Sequence, residues 1–210
     1  MRDNDLIRNI RSRVNDESIL RAMGLVPRSM FVPPASRRFV NDDRPICIGQ
    51  GQTTSQPSLI GIMIRSLCLK PTDSVLEIGS GSGYVCAILS HLCRNVVGVE
   101  RIPEFVLHSR KILSNLNIDN ATLTTEGADV VRKNKGNFEA ILVSAALRKV
   151  PNKLLSWLRP DGRVVCPVGT RDTQKLVKVE RRPEGDAITH LGECRFVPFI
   201  GEWGWRNDSG

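Results

Sequence analysis

Val75-Leu76-Glu77-Ile78-Gly79-Ser80-Gly81-Ser82-Gly83-Tyr84 is the stretch that decides the fold. An apolar run carrying one acid gives way to three glycines at alternate positions, and then to the apolar run Val85-Cys86-Ala87-Ile88-Leu89. We read a buried strand from Ser74 to Ile78, a loop from Gly79 to Gly83 and a helix from Tyr84 to Leu92. Glycine lets the backbone turn tightly and approach a ligand where any Cβ would clash. In a doubly wound sheet, this strand–loop–helix junction is the crevice that binds nucleotides. The spacing is G-x-G-x-G rather than G-x-G-x-x-G, and Glu77 closes the preceding strand. That pattern suits S-adenosylmethionine better than a dinucleotide, because no pyrophosphate has to be received by the helix N-terminus. Glu100 ends the next strand, Asn95 to Glu100, where a carboxylate accepts hydrogen bonds from both hydroxyls of a ribose.

Outward from this centre, strands and helices alternate. A second helix is expected from Pro103 to Leu116, strands at Ala121–Thr125, Phe138–Val143 and Arg163–Val168, and a helix from Pro151 to Leu158. Such alternation implies a parallel sheet with right-handed crossovers. The runs Gln174–Arg181 and Ile188–Val197, separated by Pro183-Glu184-Gly185-Asp186, read as an antiparallel hairpin added to that sheet. The first seventy residues differ. Leu6, Ile7, Ile10 and Val14 recur at helical spacing, and Asp16 is placed to cap a second helix carrying Ile19, Leu20 and Met23. Val26 to Pro34 should be extended, since residues before proline are pushed out of the α region. Gly49 to Pro57 reads as a loop feeding a helix that buries Leu59, Ile60, Met63, Ile64 and Leu67, with Pro57 in its first turn. We therefore expect one domain over residues 1–210: a helical and loop extension over 1–70, and a cofactor-binding α/β core over 71–210.

Composition bounds the rest. With 40% of its 210 residues hydrophobic, the chain can build a core without disulfide or metal staples. Its 25% charged fraction is ordinary and excludes wholesale disorder. No run approaches the ~18 apolar residues of a membrane span. Met1-Arg2-Asp3-Asn4-Asp5 has no apolar run behind it, so no secretory signal is read and the cytoplasm is the expected location. Cys47, Cys68, Cys86, Cys93, Cys166 and Cys194 form no C-x-x-C pair, and most sit in apolar runs where cysteine behaves as a small hydrophobe. Neither a metal site nor a disulfide framework is expected. The net charge is +8, and Arg132 to Arg182 holds 13 Lys or Arg against four acids. Such a surplus attracts RNA or acidic protein, but no aromatic residues interleave it, and a solvated face is the simpler reading.

Four further segments carry a resemblance. They are Val26-Pro27-Arg28-Ser29-Met30-Phe31-Val32-Pro33, the loop Ile48-Gly49-Gln50-Gly51-Gln52-Thr53-Thr54-Ser55-Gln56-Pro57, the turn and strand Leu158-Arg159-Pro160-Asp161-Gly162-Arg163-Val164-Val165-Cys166-Pro167-Val168-Gly169, and Arg195-Phe196-Val197-Pro198-Phe199. In that order they resemble the V-P-R-x-x-F-V-P, I-G-x-G-Q-T-I-S-Q-P, L-K-P-G-G-R-L-V-I-P-V-G and R-F-V-P-L motifs of the protein-L-isoaspartate O-methyltransferases. The likeness runs from about Val26 to Phe199. It implies a Rossmann-like methyltransferase fold with a seven-stranded, mostly parallel sheet. It also implies methyl transfer from S-adenosylmethionine to the carboxylate freed when Asn or Asp rearranges to isoaspartate, in damaged proteins or peptides.

Carried over residue by residue, the resemblance makes Ser55 the catalytic-loop serine that hydrogen-bonds the acceptor carboxylate. A second reading, as the N-cap before Pro57, stays open. Glu77, Gly79, Gly81, Gly83 and Glu100 would hold the cofactor, with Glu126 and Gly127 at the adenine and Gln174 reaching the same region. Thr53, Thr54, Ser144 and Ala145 would face the acceptor, and a monomer is expected. The chain departs from the family at Thr125-Glu126-Gly127, in place of G-D-G, and at Ser144-Ala145-Ala146-Leu147-Arg148, in place of T-A-A-A-P. Arg148 thereby adds a charge beside the acceptor, and Ala128 to Asn137 is basic. These departures keep open a divergent carboxyl or nucleic-acid methyltransferase, or a non-catalytic cofactor binder. A base methyltransferase, though, needs a D/N-P-P-Y/F-type loop after the fourth strand, which Ser144 to Leu147 does not supply.

Overall fold

The computed structural model describes residues 4–126 and 138–206. Helix α1 (Asn4–Val14) turns Leu6, Ile10 and Val14 inward from one face. Helix α2 (Glu17–Leu25) begins at Asp16, whose carboxylate accepts the backbone N–H groups of Ser18 at 3.0 Å and Ile19 at 3.1 Å, the cap expected from the sequence. The stretch after it is extended only in part. Val26 and Val32 are, as the following proline rings require. Arg28–Phe31 and Pro34–Phe39, however, wind into 3-10 turns, the first of which buries Arg28 and Phe31.

A second difference lies at 46–54. The expected loop is a two-stranded antiparallel hairpin of β1 (Ile46–Gly49) and β2 (Gln52–Thr54). Its turn puts Gly49, Gln50 and Gly51 at φ of 98°, 51° and 68°, the left-handed region glycine tolerates best. The strands hold β-branched Ile46, Ile48, Thr53 and Thr54, which suit a pleated surface, but each is too short to stand out beside the Gly49-Gln50-Gly51 turn. Helix α3 (Pro57–Ser66) follows, with Pro57 in its first turn as expected.

The main sheet then unrolls: β3 (Ser74–Ile78), α4 (Tyr84–Ser90), β4 (Asn95–Val99), α5 (Pro103–Asn115), β5 (Ala121–Thr124), β6 (Phe138–Val143), α6 (Asn152–Leu155), β7 (Leu158–Gly169), β8 (Gln174–Glu180) and β9 (Ala187–Cys194). Seven strands lie in the order β5-β4-β3-β6-β7-β8-β9. The first five are parallel, and β8 and β9 are antiparallel additions. Two elements differ in length from expectation. The helix over 151–158 is a single turn, and β7 begins at Leu158 rather than Arg163 because the chain kinks at Asp161, with φ 60°, and resumes pairing.

Alternate residues of the central strands feed two cores. Val75, Ala140, Leu142 and Val165 join α1, α2, α3 and α4 on one face, while Leu76, Ile141, Val143 and Val164 pack on the other. The chain leaves β3 toward β4 and β5 on one side and returns to β6 on the other, so the crevice between β3 and β6 is the topological switch point. The glycine loop sits on it.

Candidate functional site

A pocket of about 270 Å³ opens at that switch point. Gly79, Gly81, Glu100, Thr53, Ser144 and Ala145 line it, all six expected from the sequence. Gly79 and Gly81 have φ of 77° and 50°, and a Cβ on them would reach Ala145 Cβ and Ile48 Cδ1, at 3.5 Å each. Those are ordinary contacts, so it is the left-handed backbone rather than space that calls for glycine here. Glu100 is 7% exposed, and its oxygens accept the backbone N–H groups of Gly81 and Ile102, each at 2.9 Å. Each carboxylate oxygen keeps a lone pair for a ligand. The loop and the carboxylate are therefore held as one unit.

Other expected residues take different stations. Gly83 lies outside the pocket at the N-terminus of α4; a Cβ there would come within 2.8 Å of Ser109 Cβ on α5, so its glycine serves helix packing. Glu77 lies behind the pocket wall, 1% exposed. It accepts the Ser144 hydroxyl at 2.7 Å and the Cys86 thiol at 2.9 Å, and so ties the glycine loop's strand to the pocket-lining end of β6. Burial lifts its carboxyl to about 7, against the lowering effect of those two donors. Gln174 is likewise not brought into the pocket. Its amide donates to the carbonyls of Thr170 at 2.7 Å and Arg171 at 3.0 Å and accepts from Phe196 N–H at 2.7 Å, bracing the segment that becomes the pocket's far wall. Glu126 is exposed beyond a turn in which its N–H donates to Thr124 Oγ1 at 3.0 Å; Thr125 lines the pocket in its place. Gly127 lies outside the described residues.

The hairpin explains the rest. Thr53 faces out to the pocket, whereas Thr54, one residue on and pointing the other way, is buried with its hydroxyl accepting from Arg28 Nη2 at 3.0 Å. Thr54 thus lies outside the pocket lining and ties the hairpin to Arg28. Ser55 is half-buried, two residues past the pocket-lining Thr53 and not itself in the lining; among the described residues its hydroxyl takes no partner. The cap reading for Ser55 is displaced by Asp43, whose carboxylate accepts Ser58 N–H at 2.8 Å and the Gln56 amide at 3.0 Å.

Sequence reasoning missed Ile48, Gln52, Arg101, Thr125 and the wall Val197 to Ile200, all of which line the pocket. Thr125 directly follows β5, and Arg101 follows β4 after Glu100, positions the switch-point rule identifies. The wall at 197–200 carried only the resemblance of Arg195 to Phe199, which assigned it no place in the site. It reaches the pocket because the Ala146 N–H donates to the Val197 carbonyl and the Phe199 N–H donates to the Ala146 carbonyl, each at 2.8 Å.

Comparison with known proteins agrees with this geometry. A sequence model of the protein-L-isoaspartate(D-aspartate) O-methyltransferase family matches residues 1–203. The chain is 40% identical over 193 residues to protein-L-isoaspartate O-methyltransferase 1 of Syntrophobacter fumaroxidans, covering 92% of this chain and 90% of that one. It is 41% identical over 200 residues to the protein-L-isoaspartate O-methyltransferase of Syntrophus aciditrophicus, covering 93% and 92%. Among solved structures, a Plasmodium falciparum protein assigned to the same activity, in complex with S-adenosyl-L-homocysteine, superposes with a TM-score of 0.80 at 24% identity, over 94% of this chain and 97% of that one. That likeness speaks for the fold.

Proposed function

The chain belongs to the protein-L-isoaspartate(D-aspartate) O-methyltransferase family, and from that premise we propose that the switch-point pocket is where its methyl transfer takes place. The protein is an S-adenosylmethionine-dependent methyltransferase acting on the free carboxylate of L-isoaspartyl residues. The single observation that carries the site assignment is the convergence of the glycine loop, Glu100 and the Gln52–Thr53 edge of the hairpin on one pocket. The cradle fits the cofactor: Gly79 and Gly81 line it on left-handed backbone that side chains rarely adopt, and Glu100 faces it with lone pairs to spare.

Bound there, the cofactor supplies an electrophilic methyl on a sulfonium. Gly79, Gly81 and Glu100 would hold it, Glu100 through the ribose hydroxyls, with Arg101 and Thr125 lining the same side of the pocket. The acceptor carboxylate is ionised at neutral pH, with a reference pKa of about 3.9, so it needs no general base. What the protein contributes is alignment and the exclusion of water. The hairpin forms the wall facing the glycine loop, and the unpartnered Ser55 hydroxyl at its end donates to the acceptor carboxylate. Ser144 and Ala145 close the floor. We take the enzyme to act as a cytoplasmic monomer on isoaspartyl proteins or peptides.

Calorimetry with S-adenosylmethionine, followed by transfer of a labelled methyl to an isoaspartyl peptide, tests the reading. Both binding and transfer are expected; binding without transfer would leave the cofactor half and remove the acceptor half. In the same assay Ser55→Ala should lower turnover by about a hundredfold, the effect of an ~1 Å misalignment, with little change in cofactor affinity. Turnover at the wild-type rate would return Ser55 to a purely structural role.

A further inference from the structure

Beyond the pocket, the wall Val197 to Ile200 has a second side. Ile200 also lines a neighbouring cleft of about 660 Å³ with Arg148, Arg171, Glu202, Trp205 and Arg206. Arg148, Glu202 and Gly204 continue into a third cleft of about 790 Å³ that adds Lys149 and Lys153. The basic surplus read in the sequence is thus sorted by the fold. Arg163 is turned inward onto the carbonyls of Cys68 and Glu139 and the carboxylate of Asp73, Arg159 pairs with Glu139, and Lys178 with Glu180. Among the described residues of that stretch, Arg148, Lys149, Lys153 and Arg171 line these two clefts, joined by Arg206.

The position is rigid. Ser144 and Ala145 line the pocket, and Arg148 follows three residues later on the same ribbon. That ribbon is clamped by Leu147 N–H on Pro167 carbonyl at 2.8 Å, Gly169 N–H on Leu147 carbonyl at 2.9 Å, and Phe199 N–H on Ala146 carbonyl at 2.8 Å. The opposite bank is a tight loop, with Trp205 N–H on Phe199 carbonyl at 2.8 Å and Gly201 N–H on Trp205 carbonyl at 3.0 Å. Among the described residues no carboxylate pairs with Arg148, Lys149 or Arg206, and the one acid lining these clefts, Glu202, stands 3.9 Å from Lys153. Unpaired cations held together on fixed backbone repel one another, and an anion entering between them relieves that repulsion.

We propose that this cleft is a subsite for acidic side chains flanking the isoaspartyl residue, so that the enzyme selects acidic damaged segments. A chain presenting its carboxylate to the pocket passes Ile200, and its neighbours along the sequence then lie over Arg148 and Arg206. The proposal rests on the pocket being the acceptor site. It concerns a polypeptide rather than a nucleic acid because the cleft adjoins the pocket and only the flanks of a bound acceptor reach it.

The test uses the full chain and matched isoaspartyl peptides differing only in flanking residues, with Glu, Gln or Lys placed on either side. Acidic flanks should lower KM by about tenfold relative to basic ones, the combined effect of two or three exposed ion pairs worth a few-fold each, with kcat little changed. The preference should fade at high salt. Arg148→Glu and Arg206→Glu should flatten or invert it, and calorimetry with S-adenosylmethionine verifies that each variant still folds its cofactor site. Equal KM for acidic and basic peptides, or a preference unaltered in both variants, would overturn the subsite while leaving the methyl-transfer reading intact. Cofactor binding with no transfer to any peptide of the series would overturn the acceptor reading and the subsite together.

Discussion

At the scale of single residues, Glu77 links local chemistry to the stability of the protein. Its carboxyl ionises near 4.5 in the unfolded chain and near 7 when folded, chiefly because burial disfavours the charge; nearby Glu100 pushes the same way. Between those values the folded state holds a proton that the unfolded state has lost. The stabilisation is therefore complete below about 4.5 and disappears as pH rises through 7, on the order of 3 kcal/mol in all. Glu77→Gln, neutral at every pH, should remove this slope in melting curves taken from pH 5 to 8 and match or exceed the wild type at pH 8. A slope that persists in the variant would assign it to another group. Glu100 gives a binding counterpart. Glu100→Ala should weaken cofactor binding by about 1–3 kcal/mol, the cost of lost hydrogen bonds to a charged group. Gly81→Val should abolish it, because a β-branched residue does not tolerate φ of 50°. Calorimetric affinities equal to wild type in both would refute the cradle.

At the scale of elements, the hairpin that faces the pocket rests on a small cluster, Ile46 with Val32 and Val40, and is tied down by one buried cation. Arg28 is fully buried and donates to the carbonyls of Val40 at 3.2 Å, Asp42 at 2.9 Å and Arg44 at 2.8 Å, and to Thr54 Oγ1 at 3.0 Å. Desolvation holds its pKa below the usual arginine value, and nearby Asp43 and Asp42 oppose that shift. Arg28→Met, close in length, would leave those acceptors unpaired and should cost on the order of 3–5 kcal/mol. Differential scanning calorimetry reads the loss. Peptide KM should rise with it, since Thr53 loses its backing. Arg28→Lys should recover little, because an ammonium lacks the planar fork that reaches several carbonyls at once. The second anchor is Asp43: despite its burial, hydrogen bonds from Ser58 and Gln56 hold its carboxyl below the ordinary range.

For the whole molecule, one hydrophobic cluster runs from Leu6 on α1 through Ile88 and Leu142 to Phe196 near the C-terminus. The extension and the α/β core therefore share their interior, and we expect them to unfold together. All three tryptophans, Trp157, Trp203 and Trp205, lie in the last third of the chain, whereas far-UV circular dichroism also reports α1, α2 and α3. Melts followed by the two signals should coincide, and S-adenosylhomocysteine should raise both equally. Two separated transitions would make the first seventy residues an independent unit.

The sequence alone determined the sheet, the glycine loop and the carboxylate beside it, because strand alternation, glycine spacing and the acid following β4 are local patterns that need no partner to be read. It determined the Asp16 cap and the Pro57 helix start for the same reason. What tertiary structure decided is which polar side chain faces a ligand and which faces its own protein. Glu77, Thr54 and Gln174 have the chemistry of site residues, yet Ser144 and Cys86, Arg28, and the turn at Thr170 and Arg171 occupy their polar atoms. Conversely, Val197 to Ile200 has no chemistry to announce it, and it becomes a wall only because Ala146 pairs with it across the sheet's end. Which partner a polar side chain meets depends on how the chain folds back on itself, from the turn beside Gln174 to Ser144, 67 residues from Glu77, so these assignments required the assembled fold.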